Sequence, residues 1–299
     1  MSMQTRTLDT MPALAPLYAR AAAQAGRDAL SRRSRPAELP GTRLVVGDHG
    51  IGEDALRRWR EGVGPVDPDA LPSVLVHTQV FGVAMELMAD PEFPLPLPGM
   101  VHLTNAVTHR RPVAAGRPLT VTAEAVGLVP HHAGTAVDLL VQVREADAAD
   151  EAAPAWEGVS RYLARGVHVS PLRPERAARD EWTAPVPTAQ WTLGGGAGRS
   201  YARVSGDWNP IHLSGPTAKA FGQRGAIAHG MLLAARMLQR REPAEAGFRW
   251  EIGFEAPVVL PARVAVRYAE EAGGVTRVTG WDPRRGRRHF TGSMSPIGG

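Results

Sequence analysis

Pro72 followed by Ser73-Val74-Leu75-Val76-His77-Thr78-Gln79-Val80-Phe81-Gly82-Val83-Ala84-Met85-Glu86-Leu87-Met88 is the stretch from which the architecture can be worked out. Apolar side chains fall on almost every face, as expected of a helix buried all round, and the proline suits its first turn. A breaker run from Pro91 to Gly99 ends it. Met100–Thr108, Leu119–Val126, Ala136–Val143 and Trp156–Leu163 then alternate in part and are bounded by Gly or Pro. They read as antiparallel strands following one central helix.

The second half repeats this order. His229-Gly230-Met231-Leu232-Leu233 opens a helix expected to run through Arg241, and strands are expected near Phe248–Phe254, Arg263–Tyr268, Val275–Trp281 and Arg288–Met294. Pro112-Val113 aligns with Pro257-Val258, and Leu119 and Val121 with Val264 and Val266, at one constant offset, as a duplication would give. A buried helix followed by antiparallel strands, twice, is an α+β architecture in which each sheet wraps a helix. The hot-dog fold has this plan. Two copies in one chain, a double hot-dog, would let the sheets pair as in a homodimer and hold a ligand between the halves. The Pro- and charge-rich run around Pro171–Pro187 has no apolar periodicity and reads as a linker. The expected domains are therefore 1–170, a linker at 171–188, and 189–299.

Composition narrows the chemistry. The 299 residues are 43% hydrophobic and 21% charged, the balance of a soluble globular chain. With no cysteine, disulfides, thiolate nucleophiles and Cys-ligated metal centres are excluded. Net charge is +4 and Lys219 is the sole lysine. The arginines are interspersed with acids except at Arg32, Arg33 and Arg35 and at Arg284, Arg285, Arg287 and Arg288, with no aromatic-interleaved basic stripe. No nucleic-acid partner is expected. Ala220 after Lys219 removes a Walker A loop. Leu14–Ala25 is alanine-rich but interrupted by Arg20 and Gln24, reading as a surface helix rather than a targeting signal. The apolar stretch around Val74–Met88 is too short to span a bilayer. A cytoplasmic protein with no membrane partner is expected.

The densest polar constellation is Tyr201-Ala202-Arg203-Val204-Ser205-Gly206-Asp207-Trp208-Asn209-Pro210-Ile211-His212, just ahead of the second central helix. Asp207 and His212 would face apart on a straight helix. Pro210 forces a turn between them, so carboxylate and imidazole can converge. Sharing one water, such a pair suits addition of water to a carbon–carbon double bond. The same residues also suit a plainer role, with Asp207 capping a turn and His212 packing on the helix.

The segment resembles the signature of MaoC-type dehydratases and R-specific enoyl-CoA hydratases, the hydratase 2 motif. The likeness continues through Leu213-Ser214, Thr217-Ala218, Phe221-Gly222 and Ala226-Ile227-Ala228-His229-Gly230-Met231. In the first half it runs through Phe93-Pro94-Leu95, Gly99-Met100-Val101-His102-Leu103 and Arg111-Pro112-Val113, an arrangement similar to actinobacterial double-hot-dog acyl dehydratases. The resemblance implies that Asp207 and His212 activate water, that Asn209 holds the loop by hydrogen bonds, and that Gly230 supplies a backbone N–H to the thioester oxygen. It implies a hydro-lyase needing no metal or other cofactor, acting reversibly between (3R)-hydroxyacyl and trans-2-enoyl thioesters of CoA or acyl carrier protein. Fatty acyl or polyketide metabolism would be its setting, and a monomeric pseudo-dimer or a homodimer its form. A mesaconyl-CoA-type short-chain hydratase and a non-catalytic acyl-thioester-binding subunit are the alternatives. The same offset carries Asp207 and His212 back to Gly62 and Asp67, so one active site per chain is expected.

Other signals are weaker. Gly194-Gly195-Gly196-Ala197-Gly198 lacks the strand–turn–helix setting of a dinucleotide site and reads as a flexible loop. His131 and His132 are adjacent, expected to point apart, and have no third ligand. His77 and His102 suit core positions, and His229 is placed to brace the loop. Ser205 has no G-x-S-x-G context.

Overall fold

The computed structural model describes residues 3–31, 35–149, 152–176, 181–243 and 247–297. The first half forms β1 (Gln4–Leu8), α1 (Leu14–Ser31), β2 (Thr42–His49), α2 (Glu53–Gly62), α3 (Ser73–Met88), β3 (Val101–His109), β4 (Leu119–His131), β5 (Gly134–Glu145) and β6 (Trp156–Arg165). The second forms β7 (Ala189–Leu193), α4 (Ala197–Ser205), the 3-10 turn η1 (Pro210–His212), α5 (Gly215–Ala220), α6 (Gly230–Leu238), β8 (Phe248–Phe254), β9 (Ala262–Glu271), the 3-10 turn η2 (Ala272–Gly274), β10 (Val275–Trp281) and β11 (Arg288–Pro296). All eight expected strands are present, together with β1, β2 and β7.

The chain separates into two compact units: residues 1–50, 79–105 and 116–179, and residues 51–78, 106–115 and 180–299. The first has strand order β1-β2-β4-β5-β6, parallel between β1 and β2 and antiparallel after them. Phe81 of α3 stacks on Tyr162 of β6 with centroids 5.9 Å apart. Val83, Ala84 and Met85 on the same helix are buried, as apolar side chains on almost every face require.

In the second unit the order is β8-β11-β10-β9-β7, antiparallel throughout. Helix α6 is pressed into this sheet. Its residues Met231 to Ala235, Met237 and Leu238 are buried, and the Tyr268 hydroxyl of β9 donates to the Met237 carbonyl at 3.2 Å. It ends at Leu238, short of the expected Arg241, because Gln239 leaves the helical region at ψ 121° and Arg240 follows in the left-handed region at φ 61°. Each half thus repeats a central helix followed by antiparallel strands, the α+β plan expected of a double hot-dog.

The two halves differ just where the motif lies. Residues 63–72 join α2 to α3 with no intervening helix, whereas η1 and α5 separate α4 from α6. The connection at 63–72 therefore lacks the counterpart of η1 and α5, the elements that carry His212 and follow Asp207 in the second half. Gly62 ends α2, and Asp67 lies in the short connection, its carboxylate accepting the Asp69 N–H at 2.9 Å.

Some expectations take a different form. Of the linker at 171–188, residues 177–180 lie outside the described residues, while Trp182 donates its indole N–H to the Gly286 carbonyl at 2.6 Å. The rings of His131 and His132 lie 4.0 Å apart instead of pointing apart, because β4 ends at His131 and the hairpin turn brings His132 alongside. Arg32 and Arg33 lie outside the described residues; Arg35 pairs with Asp28 at 2.7 Å. Among the described residues no helix is long and apolar enough to cross a membrane.

Candidate active site

The site is built by the chain reversal between α4 and α6. Helix α4 ends at Gly206, whose φ of 72° lies in the left-handed region that favours glycine. Ser205 clips the exit: its hydroxyl donates to the Tyr201 carbonyl at 3.0 Å and accepts the Asp207 N–H at 3.2 Å. Asp207 Oδ1 accepts the Asn209 N–H at 3.1 Å, and Asn209 Oδ1 accepts the Ile211 N–H at 3.3 Å. Two successive side-chain turns thus lead into η1, with Pro210 at its start. The capping role read for Asp207 is real and leaves Oδ2 outside that turn.

His212 closes η1 and is 9% exposed. Its Nδ1 lies 2.8 Å from the Ile227 carbonyl. A carbonyl can only accept, so Nδ1 carries the proton and Nε2 keeps its lone pair. Ile227 itself donates its N–H to the Ile211 carbonyl at 3.0 Å, fixing both sides of this contact. Gly198 supplies a third constraint: a Cβ there would come within 1.9 Å of the His212 carbonyl oxygen. The glycine run expected to be a flexible loop therefore enters α4 at a position where only a bare Cα fits.

His229, 3% exposed, stands at the N-cap of α6 and makes no side-chain cap. Its Nε2 lies 3.0 Å from the Asp207 carbonyl, so it carries the proton and braces the loop as expected. The same nitrogen is 3.8 Å from Asp207 Oδ2. The rings of His212 and His229 stack at 3.7 Å, inclined by 24°. Burial pushes His229 down to about 4, helped by the neighbouring His212 and opposed by Asp207. Burial also lowers His212, against the opposing pull of Asp207 and the Ile227 carbonyl. Both rings are neutral near pH 7. Tyr201 of α4 packs its ring 5.1 Å from that of His229. Its phenol is held well above the ordinary value by burial and then by the Asp207 charge.

One carboxylate oxygen of Asp207 and one nitrogen from each of His212 and His229 lie within 4.8 Å of one another. These donor types suit a divalent transition metal, but the stacking does not. An ion must lie near the plane of each coordinating imidazole, at about 2.1 Å from its nitrogen. Stacked rings with centroids 3.7 Å apart and inclined by only 24° have planes that meet far beyond that distance. The spacing suits a water instead, since a molecule about 2.8 Å from each of two groups can span them.

Gly230 is the first residue of α6. Its N–H has no intrahelical partner by position, and the helix dipole favours negative charge there. A Cβ on Gly230 would meet the Phe254 ring at 2.7 Å, so glycine also lets α6 approach β8. Asp207, Asn209, His212 and Gly230 all belong to the second unit. Sequence reasoning missed Tyr201, which lay inside the quoted segment without a role, and Gly198, whose contact is made fourteen positions away along the chain with no local signal.

The family model described as "MaoC like domain" matches residues 185–280, which span every residue of this site. Residues 185–280 are a MaoC-like domain. The chain is 29% identical over 252 residues to 3-hydroxyacyl-thioester dehydratase X of Mycobacterium tuberculosis, covering 84% of this chain and 88% of that protein. A crystal structure of HtdX from Mycobacterium tuberculosis superposes with a TM-score of 0.71 at 27% identity, over 85% of this chain and all of that one. The fold is also that of a MaoC-like dehydratase from Phytophthora capsici, with a TM-score of 0.68 at 17% identity, over 87% of this chain and 96% of that one. These likenesses extend well beyond the MaoC-like domain and cover both hot-dog repeats.

Proposed function

We propose that the protein is a cytoplasmic hydro-lyase that interconverts trans-2-enoyl and (3R)-3-hydroxyacyl thioesters, with Asp207 and His212 as its catalytic pair. The observation that carries this reading is that His212 offers a lone pair at Nε2, with Nδ1 pinned to Ile227, on a ring of which one nitrogen lies within 4.8 Å of an Asp207 carboxylate oxygen. In the hydration direction the water lies between Asp207 and His212. Asp207 orients it, and the neutral His212 Nε2 takes its proton as oxygen bonds to C3. The C2–C3 double bond opens and charge moves to the thioester oxygen, where the Gly230 N–H receives it at the start of α6. The pair returns the proton to C2, so water is added across the bond and no proton remains on the enzyme. Asn209 holds the turn between the two groups through its bond to Ile211.

The substrate is a thioester of CoA or acyl carrier protein, in keeping with the 3-hydroxyacyl-thioester dehydratase named above. Hydration of crotonyl-CoA and dodecenoyl-CoA, followed as loss of the enoyl thioester absorbance, tests the proposal. Wild-type protein is expected to hydrate at least one of them and Asp207→Asn to do so far more slowly. Absence of hydration by well-folded wild-type protein would overturn it.

A further inference from the structure

Two buried polar atoms on neighbouring rings have no hydrogen-bond partner among the described residues: the Tyr201 hydroxyl and His229 Nδ1. The ring centroids are 5.1 Å apart and the planes are inclined by 53°. Tyr201 is 1% exposed and His229 3%. Their roles are complementary. His229 Nε2 carries the ring proton toward the Asp207 carbonyl, which leaves Nδ1 an acceptor, while the phenol is a donor. Leaving such a pair unmet inside a protein is costly, and an ordered water is the usual remedy.

We propose that one buried water bridges the Tyr201 hydroxyl and His229 Nδ1, and that Tyr201 acts through it as a positioning residue for Asp207 and His212. The chain runs from Tyr201 O–H to the water oxygen, from the water O–H to His229 Nδ1, and from His229 Nε2–H to the Asp207 carbonyl. Each donor in the chain finds an acceptor, and successive bonds of this kind reinforce one another. The fixed His229 ring is the surface on which His212 stacks at 3.7 Å, and its proton holds the Asp207 peptide. Tyr201 has no accessible hydroxyl with which to touch substrate. Its contribution is to the orientation of the pair.

The positioning role rests on the reading of Asp207 and His212 as catalytic; the water does not. A wild-type crystal structure at a resolution that shows ordered water is expected to place one within hydrogen-bond distance of both atoms. Tyr201→Phe keeps the ring and removes the donor. It is expected to lose that water, to move the ¹⁵N resonance of His229 Nδ1, and to lower kcat about tenfold, the scale of one hydrogen bond, with KM within about twofold. Density without the water, or an unmoved Nδ1 resonance, would overturn the bridge. An unchanged kcat in a folded Tyr201→Phe protein would overturn the positioning role. Wild-type protein inert toward every enoyl thioester would defeat the catalytic reading and with it the positioning role, while density and resonance would still decide the water.

Discussion

His212 and His229 stack with ring centroids 3.7 Å apart, and each gives its single proton to a backbone carbonyl, His212 to Ile227 and His229 to Asp207. Two imidazoles can share so small a volume because both are neutral; a second positive charge there would be repelled and poorly solvated. Burial is the first cause of the lowered pKa of each. A lowered pKa means that protonation sets in only when the pH falls below the ordinary imidazole value of 6.5. The acid limb of kcat/KM is therefore expected below pH 6.5, with activity level above it until another group titrates. A limb centred above 6.5 would contradict a neutral, buried His212.

Asp207→Asn and His212→Gln are each expected to lower kcat by roughly 10²–10⁴-fold, the scale of general acid–base groups. On the proposal that both serve one water, the double variant should be little worse than the poorer single one. Steady-state rates on enoyl thioesters, with melting temperatures near wild type, check this. Multiplying effects would show that the two groups act in separate steps.

Gly198→Ala places a methyl where the His212 carbonyl oxygen already lies, 1.9 Å away. Overpacking of this kind costs about 1–3 kcal/mol, so a fall in melting temperature of several degrees, on the order of 2–4 °C per kcal/mol, is expected. Displacement of η1 should also reduce kcat. Gly195→Ala, in the same glycine run but with nothing within 4 Å of its Cβ, is expected to change neither.

Glu242 follows α6 and accepts the Ser73 N–H at the start of α3 at 2.8 Å. Burial pushes its carboxyl up to about 8. Between 4.5 and 8 the folded protein holds a proton on Glu242 that the unfolded chain has lost, so stability falls as pH rises through that window. His77, His109 and His229, each lowered by burial to about 4 from 6.5, act in the opposite sense: stability is lost as pH falls from 6.5 toward 4. These histidines, joined by the likewise lowered His212, outweigh one carboxyl below 6.5, and Glu242 dominates above it, so thermal stability is expected to peak near pH 6.5. Glu242→Gln should flatten the decline on the alkaline side. An unchanged decline would show that another group causes it.

The repeated helix and strands could be read from the chain because Val74–Met88 and Met231–Leu238 are apolar on almost every face and the strands after them are bounded by Gly and Pro. Strand β1 escaped because it is short and mostly exposed, and β7 because its alternation runs for only five residues next to a Pro-rich run. The polar segment also announced itself, since Pro210 between Asp207 and His212 implies a turn. What could not be read is what depends on contact between distant positions. Gly198 resembles any loop glycine until η1 is seen against it, and Tyr201 resembles a core aromatic until its hydroxyl is found beside His229. The stacking of His212 on His229 likewise follows from the path of residues 213–228, which no local pattern specifies.

The most direct test of the account is the configuration of the product formed from trans-2-enoyl-CoA by purified wild-type protein, determined by chiral analysis of the 3-hydroxyacyl group. The resemblance of Tyr201–His212 to the R-specific hydratases, with the proposed water at Asp207 and His212, predicts the (3R)-3-hydroxyacyl thioester. Predominantly 3S product, or no hydration at all, would contradict it.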